Sequence, residues 1–243
     1  MSKNIINKDT IKEFAIQQDY YAKNASIYNE MYAGEEQEQT LPLSFLASYI
    51  DLANCQSLLD IGSGTGRKLL WIKNKFPRLR VLGIEPSQEL REIAYNSGLS
   101  PSEVRDGDGL ALDLKDGEFD LVCEFNALHH IRYPEIVVSE MLRVAKKAIF
   151  IFDMNNFAAG GKLSRFMKQS LNTLGLWTLV DFLKTGGKGY RISEGDGVSY
   201  SYSVFNNYDL IRKHCKSVHF LNTSNSGVNL YRSASQIALI GIK

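Results

Sequence analysis

Between residues 57 and 153, short apolar runs alternate with amphipathic segments of helix length. The runs predicted as strands are 57–61, 81–84, 103–105, 119–125 and 148–153, and the segments predicted as helices are 65–75, 87–96 and 134–144. This alternation favours a parallel sheet with helices on both faces. Such sheets bind ligands beyond the carboxyl ends of their strands, so the residues that directly follow each strand are the candidate site residues.

The segment before residue 57 carries a different pattern. Residues 8–32 hold an apolar and aromatic stripe at helical spacing, which predicts helical pieces broken near Asp19 and Asn24. A polar loop is expected at 34–39. A helix is expected at 41–52, where Pro42 is acceptable in the first turn.

After Asp153 the strand and helix alternation stops. The apolar stripe from Leu163 to Phe182 is predicted as core or as a dimer surface; the basic residues beside it leave a membrane-surface role as an alternative. Serines alternate with apolar residues from Val198 to Val204, which predicts a strand. A short helix at 208–214 and strands at 218–223 and 234–242 follow. Because strands resume, we expect 155–205 to be a cap inserted into one domain that spans 1–243.

Composition narrows the class of protein. The 28 basic and 27 acidic residues of this 243-residue chain give a net charge of +1, which provides no general field for nucleic acid. The three cysteines are far apart and have no metal-ligand spacing. The N-terminus lacks the apolar stretch of a secretory signal, and no apolar run approaches a membrane span. We therefore expect a cytoplasmic monomer or homodimer with no metal site, nucleic-acid partner or membrane span.

The strongest local signal is the glycine-rich turn after the first predicted strand. Gly62, Gly64 and Gly66 stand at alternate positions between that strand and a helix, where glycine permits a tight turn and close approach of the backbone to a ligand. A dinucleotide-binding turn would need glycine where Arg67 stands, and a phosphate loop would need Gly-Lys-Ser or Gly-Lys-Thr. The spacing fits neither of these two turns.

Two acids follow the next two strands. Glu85 ends the second strand about 20 residues after the glycines, where a carboxylate can accept hydrogen bonds from a ribose diol. Asp108 follows the third strand, where a side-chain acceptor can meet an exocyclic amine. Together the two acids would hold a nucleoside by its sugar and its base, without a phosphate site.

These residues resemble the class I methyltransferases that use S-adenosylmethionine (SAM), particularly the group of the ubiquinone- and menaquinone-biosynthesis type. The resemblance is carried by the D-x-G-x-G-x-G run Asp60–Gly66, by Glu85 in Gly-Ile-Glu-Pro-Ser, by Gly107-Asp108 and the run that continues to Asp120, and by Leu128-His129-His130-Ile131. It covers 57–153 well, is weak before residue 40 and is absent through 155–205.

The resemblance implies a Rossmann-like α/β fold with a seven-stranded, mostly parallel sheet, helices on both faces and an antiparallel last strand. It implies SAM as cofactor and S-adenosylhomocysteine as product. An N-terminal segment, here residues 1–40, would close over SAM as a helical lid and contribute Tyr21. The cofactor-binding residues it implies are Asp60, Gly62, Ser63, Gly64, Gly66, Glu85, Pro86, Asp108, Gly109, Phe125 and Asn126.

The sequence says less about the residues that would contact the methyl acceptor. His129 and His130 are candidate general bases after the fourth strand, with packing or helix-entry roles as the alternative. Tyr200 and Tyr202 are candidate substrate-lining residues, or simply pack a hairpin. No Asn/Asp-Pro-Pro-Tyr/Phe run follows the fourth strand, which disfavours planar amines of nucleic acid or glutamine.

We therefore expect a small-molecule acceptor, first a hydroxyl of a sugar or natural product. The alternatives are N-methylation of an amino sugar, C-methylation of a quinone precursor, and a non-catalytic module that only binds SAM.

Overall fold

The computed structural model describes residues 8–31, 36–224 and 227–243, and helices precede the sheet. They are α1 (Lys8–Asn24), α2 (Tyr28–Met31) and α3 (Glu36–Leu52). The predicted break near Asp19 is wrong, because α1 continues to Asn24. Helix α3 begins at Glu36 and contains Pro42 inside, so it also takes in most of the predicted polar loop. Residues 1–7 and 32–35 of the predicted lid lie outside the described residues.

One seven-stranded sheet forms the centre of the fold. Its order is β3-β2-β1-β4-β5-β9-β8; the first five strands are mutually parallel, and β9 is antiparallel to both of its neighbours. This confirms the predicted fold class, including the antiparallel last strand. In chain order the strands are β1 (Ser57–Ile61), β2 (Arg80–Ile84), β3 (Val104–Arg105), β4 (Phe119–Phe125), β5 (Ala145–Met154), β6 (Tyr190–Ser193), β7 (Gly197–Tyr200), β8 (Ser217–Asn222) and β9 (Gln236–Ile242).

Helices pack on both faces of this sheet. Those after β1 are α4 (Arg67–Lys75), α5 (Gln88–Asn96), α6 (Pro134–Val144), α7 (Lys162–Thr173), α8 (Trp177–Lys184), α9 (Tyr208–His214) and α10 (Leu230–Ser233). Successive strand residues point to opposite faces, so Leu59 joins the core beneath α6 whereas Leu58 joins the core beneath α3 and α4. Strands β1 and β4 are buried along their whole length, as expected for central parallel strands covered on both sides. Their carboxyl ends form one edge of the sheet.

The segment between β5 and α9 holds α7, α8 and the hairpin of β6 and β7. The predicted strand through Val204 ends early, at Tyr200. There the chain turns, because the N–H of Tyr202 donates to the carbonyl of Tyr200 at 2.9 Å. The turn places Tyr202 in the core, where its hydroxyl accepts from Asn207 Nδ2 at 3.0 Å. The predicted substrate-lining role of Tyr202 is therefore wrong.

The apolar stripe of α7 and α8 faces solvent rather than the core. Leu163 is 73% exposed and Phe166 68% exposed, whereas Trp177 is buried. The core assignment of this stripe is thus wrong except at its few inward residues. Within the described residues, none of the helices combines the length and the apolar character needed to cross a lipid bilayer.

Candidate active site

The glycine-rich turn joins β1 to α4 and bends by way of three left-handed residues. Gly62, Gly64 and Gly66 have φ values of +70°, +55° and +71°, a region that disfavours side chains. A Cβ on Gly62 would lie 2.8 Å from the Cβ of Ala127, so the turn packs closely on the segment after β4. A Cβ on Gly66 would lie 2.4 Å from Leu99 Cδ1. Gly66 therefore packs against the region of α5 and does not line the cavity, contrary to its predicted contact with the cofactor.

Glu85 connects the end of β2 to this turn. Its carboxylate accepts from the N–H of Gly64 at 2.8 Å and from the N–H of Ser87 at 2.9 Å. The side chain is buried, and burial raises its pKa to about 7 although both backbone donors act in the opposite direction. A carboxylate oxygen can accept more than one hydrogen bond, so both oxygens keep capacity for a ligand.

Asp60 occupies a different place from the one predicted. It is 2% exposed inside β1, lies beneath the turn and does not line the cavity. The thiol of Cys123 on β4 donates to it at 3.7 Å, and burial raises the pKa of Asp60 to about 7. Asp60 therefore faces β4 rather than the cavity, contrary to its predicted contact with the cofactor.

A cavity of about 440 Å³ opens at this edge of the sheet. Its lower end is lined by most of the predicted cofactor-binding residues, namely Gly62, Ser63, Gly64, Glu85, Pro86, Asp108 and Gly109. Phe125 and Asn126 line the middle of the cavity, and Tyr21 lines it from α1. The side chain of Asp108 accepts from the N–H of Leu110 at 2.9 Å, which fixes the turn after β3.

Two residues that line the cavity also carry a buried polar atom without a partner in the described part of the chain. Ser63 Oγ and Asn126 Oδ1 are buried and have no hydrogen-bond partner among the described residues. Buried polar atoms are seldom left in this way, because an unmade hydrogen bond costs free energy. The backbone of Gly62 and Gly64 and the carboxylate of Glu85 line the cavity and fit a nucleoside that bears amino-acid polar groups, as SAM does.

The far end of the cavity holds His129, which lies between two carboxylates. Its Nδ1 lies 2.7 Å from Asp153 Oδ1, and its Nε2 lies 3.5 Å from Asp196 Oδ2. Burial alone would lower the pKa of His129, but the two carboxylates outweigh it and raise the pKa to about 10. His129 is therefore a cation at neutral pH.

His130 beside it is in the opposite state. Burial and the neighbouring charge of His129 lower the pKa of His130 to about 4. Its Nδ1 lies 2.6 Å from the carbonyl oxygen of Val198, which can only accept, so Nδ1 carries the hydrogen. The Nε2 of His130, 3.5 Å from Asp196 Oδ1, is left with a lone pair in the cavity.

Potential metal-ligand atoms of His129, His130 and Asp196 lie within 4.8 Å of one another. Because one of the two histidines is held as a cation and the other as a neutral ring, we interpret this cluster as an acid–base group. The sequence analysis did not identify Asp196. Its one local signal was the turn sequence Gly195-Asp196-Gly197.

Helix α1 forms the wall above this cluster through polar contacts. The buried carboxylate of Glu13 accepts from Arg132 Nε at 2.8 Å and from the hydroxyl of Tyr200 at 2.5 Å. Gln17 Oε1 accepts from the N–H of Val198 on β7 at 2.6 Å. Glu13, Gln17 and Arg132 also line the cavity and were not among the predicted site residues. Tyr200 lines the same cavity, and its contact with a substrate stays a prediction.

Comparison with known proteins agrees with this geometry. Residues 59–152 match a family described as "Methyltransferase domain". Over 106 residues the chain is 37% identical to phosphatidylethanolamine N-methyltransferase of Cereibacter sphaeroides, which covers 42% of this chain and 51% of that protein. It is 31% identical to ajmaline N-methyltransferase of Rauvolfia serpentina, over 42% of this chain and 36% of that protein. The chain thus spans about half or less of the length of the curated relatives that it matches.

Solved structures resemble the whole chain. Magnesium protoporphyrin IX methyltransferase of Synechocystis PCC 6803, solved with S-adenosylhomocysteine, superposes with a TM-score of 0.61 at 13% identity, over 95% of this chain and 99% of that one. A possible histamine N-methyltransferase of Thermotoga maritima gives 0.56 at 19% identity, over 92% and 99%. Likeness at this identity establishes the fold. With the sheet order, it shows that the chain has the fold of these SAM-dependent methyltransferases, and residues 59–152 are similar to the methyltransferase-domain family.

Proposed function

We propose that this chain transfers a methyl group from SAM to a small-molecule acceptor, first a hydroxyl of a sugar or natural product. The observation that carries the proposal is the single cavity that extends from the glycine-rich turn to the cluster of His129, His130 and Asp196. Bound SAM supplies a methyl group on a sulfonium, which is already reactive. The protein then has to hold the cofactor, align the acceptor and accept its proton.

SAM would be held by residues that can still make hydrogen bonds. Glu85 would accept from the ribose hydroxyls and Asp108 from the adenine amine, as the family resemblance implies. Ser63 and Asn126, which line the cavity, would lie beside the methionine part. Gly62 would let that part approach the backbone closely, because no side chain intervenes.

The acceptor's proton would go to His130. Its Nε2 has a lone pair, its Nδ1 is fixed by the carbonyl of Val198, and its lowered pKa keeps it neutral. Cationic His129 would hold Asp196 in place beside it. A positioned base contributes roughly 10²–10⁴-fold to a rate when its pKa lies near the operating pH, and the lowered pKa of His130 puts it at the lower end of that range.

Segments outside the matched domain would select the acceptor. We propose that residues 1–40 act as a lid and that 155–205 act as a cap. Glu13 on α1 and Tyr200 on β7 are hydrogen-bonded to each other and both line the acceptor end, which supports this arrangement. Alanine in place of Tyr200 is expected to weaken acceptor binding more than SAM binding.

An amine acceptor is the second candidate. The relatives quoted above include N-methyltransferases, and the free Nε2 of His130 and the carboxylate of Asp196 would suit an N–H donor as well as an O–H donor. A module that only binds SAM is less well supported, because the cavity continues past the cofactor end to a buried acid–base cluster.

The test has two stages. Calorimetry should first show SAM binding at micromolar concentration; folded protein that binds neither SAM nor S-adenosylhomocysteine would overturn the proposal. Release of S-adenosylhomocysteine is then measured with panels of sugars, phenols and amino sugars. His130→Gln should lower kcat by at least 10²-fold with little change in SAM affinity. His214→Gln is the matched control, because His214 also bonds a backbone carbonyl through Nδ1 but is exposed on α9.

A further inference from the structure

The outer face of α7 and α8 is a continuous helical surface of large apolar side chains. We call it the α7–α8 face. It is formed by Leu163, Phe166, Met167, Leu174, Leu179 and Leu183, all at least half exposed. Leu163, Phe166 and Met167 lie within one turn of α7, Leu174 directly follows α7, and Leu179 and Leu183 are four positions apart on α8. Large contiguous apolar surfaces mark interaction sites in soluble folds.

The inner sides of both helices are fixed to the body of the protein. The ring of Trp177 is buried and packs edge-on against Phe157, with centroids 5.9 Å apart. Gln169 Nε2 donates to the carbonyl of Phe157 at 2.9 Å, and Asn172 Nδ2 donates to the hydroxyl of Tyr231 at 2.8 Å. Because these contacts fix the orientation of the helices, the apolar stripe cannot turn inward without breaking them.

The charge around this face is strongly one-sided. Residues 162–193 contain six basic residues and one acidic residue, a formal charge of +5 in a chain whose net charge is +1. The one acid, Asp181, is buried and paired with Arg191. Lys162, Lys184 and Lys188 are exposed. A second copy of the chain would bring the same positive charge against this one, whereas an anionic surface would be attracted.

We propose that the α7–α8 face docks on an anionic lipid bilayer, with α7 and α8 lying in the plane of the interface. Apolar stripes flanked by lysine and arginine are the features that such interfacial helices share: the apolar side enters the boundary of headgroups and acyl chains, and the cations meet anionic headgroups. The hairpin of β6 and β7 follows α8 after residues 185–189 and carries Tyr200 of the acceptor end. The inference does not depend on which acceptor is methylated.

The test is flotation of the full chain with vesicles. Vesicles of phosphatidylcholine with 30% phosphatidylglycerol should carry the wild type to the top of a gradient, and pure phosphatidylcholine vesicles should carry much less. High salt should weaken the binding, because it screens the charges. The double variant Phe166→Ser, Leu183→Ser should bind at least 10²-fold more weakly. Leu52→Ser is the matched control, since Leu52 is 84% exposed on α3, away from this face.

Two further measurements make the result decisive. Thermal unfolding should show that all variants are folded, as expected for exposed positions. Sedimentation velocity should show the same oligomeric state for wild type and double variant. The proposal is overturned if wild type does not float with anionic vesicles, if the double variant floats equally well, or if the substitutions only convert a dimer of this chain into monomers.

Discussion

Burial of Glu85 should make SAM affinity depend on pH. Burial raises its pKa in the folded protein to about 7 from an ordinary value of 4.5. In the ligand-free fold, this carboxyl's contribution to stability is present in full below about pH 4.5 and is lost as pH rises through 7. SAM binding should have the opposite dependence, because in the proposed complex the ribose hydroxyls would donate to the ionised carboxylate. Affinity should therefore increase as pH rises.

The magnitude follows from linkage. For one group with a pKa of about 7, lowering the pH from 8 to 5.5 should weaken apparent affinity by about thirty-fold. Glu85→Gln removes the charge at every pH. Hydrogen bonds to a charged group contribute roughly 1.5–3 kcal/mol each, so the loss of two should weaken binding at pH 8 by roughly 10²–10⁴-fold. The variant should also lose the part of the pH dependence that Glu85 causes.

The assay is calorimetric titration with S-adenosylhomocysteine between pH 5.5 and 8. Titration of the ligand itself cancels when wild type and variant are compared. Glu92→Gln is the matched control, because Glu92 is exposed on α5 and bonds only Gln88 among the described residues. A wild-type affinity that does not change with pH, or a Glu85→Gln variant that binds as tightly as wild type at pH 8, would refute the reasoning.

Three further predictions concern the fold around the site. Gly62→Ala and Gly64→Ala each place a side chain at positive φ, which costs about 1–2 kcal/mol; thermal unfolding should show a larger loss at Gly62, where the new Cβ would lie 2.8 Å from a neighbouring Cβ. Arg132→Met leaves the buried carboxylate of Glu13 without its cation and should lower the free energy of unfolding in urea by roughly 2–4 kcal/mol; a loss under about 1 kcal/mol would contradict this. Phe166→Ser should change that free energy by less than about 0.5 kcal/mol, since the ring is 68% exposed; a large loss would show that the ring packs in the core.

The central sheet and most of the cofactor end could be predicted from the sequence. Buried parallel strands need continuous apolar runs, and a glycine turn followed by acids at strand ends is a local pattern. The predicted contact of Asp60 with the cofactor was wrong. Asp60 lies next to the glycine-rich turn in the sequence, but its position within a buried strand turns its side chain away from the cavity. Tyr202 was misplaced because one backbone turn after Tyr200 ends the alternation, and no residue type there signals that turn.

The acceptor end could not be predicted, because its contacts join distant parts of the chain. Glu13 meets Arg132 at a separation of 119 positions and Tyr200 at a separation of 187. A polar residue on an isolated helix gives no indication of such a partner. For α7 and α8, helical spacing revealed an apolar stripe but could not tell whether the stripe faces the core or the solvent, since both produce the same period.

The hydrogen bonds of Glu13 and Gln17 have a consequence for how acceptor preference can change. They join α1 to Arg132 and to the β6–β7 hairpin, and α1 and the hairpin both lie outside the matched span of residues 59–152. Glu85 and Asp108, which we propose to hold the nucleoside, lie inside that span. If α1 and the β6–β7 hairpin are exchanged together for the matching pair of a related protein, the acceptor end of the cavity should change. The residues proposed to bind the nucleoside should stay as they are. Exchange of either segment alone would leave the buried side chain of Glu13 or Gln17 without its hydrogen-bond partner on the hairpin.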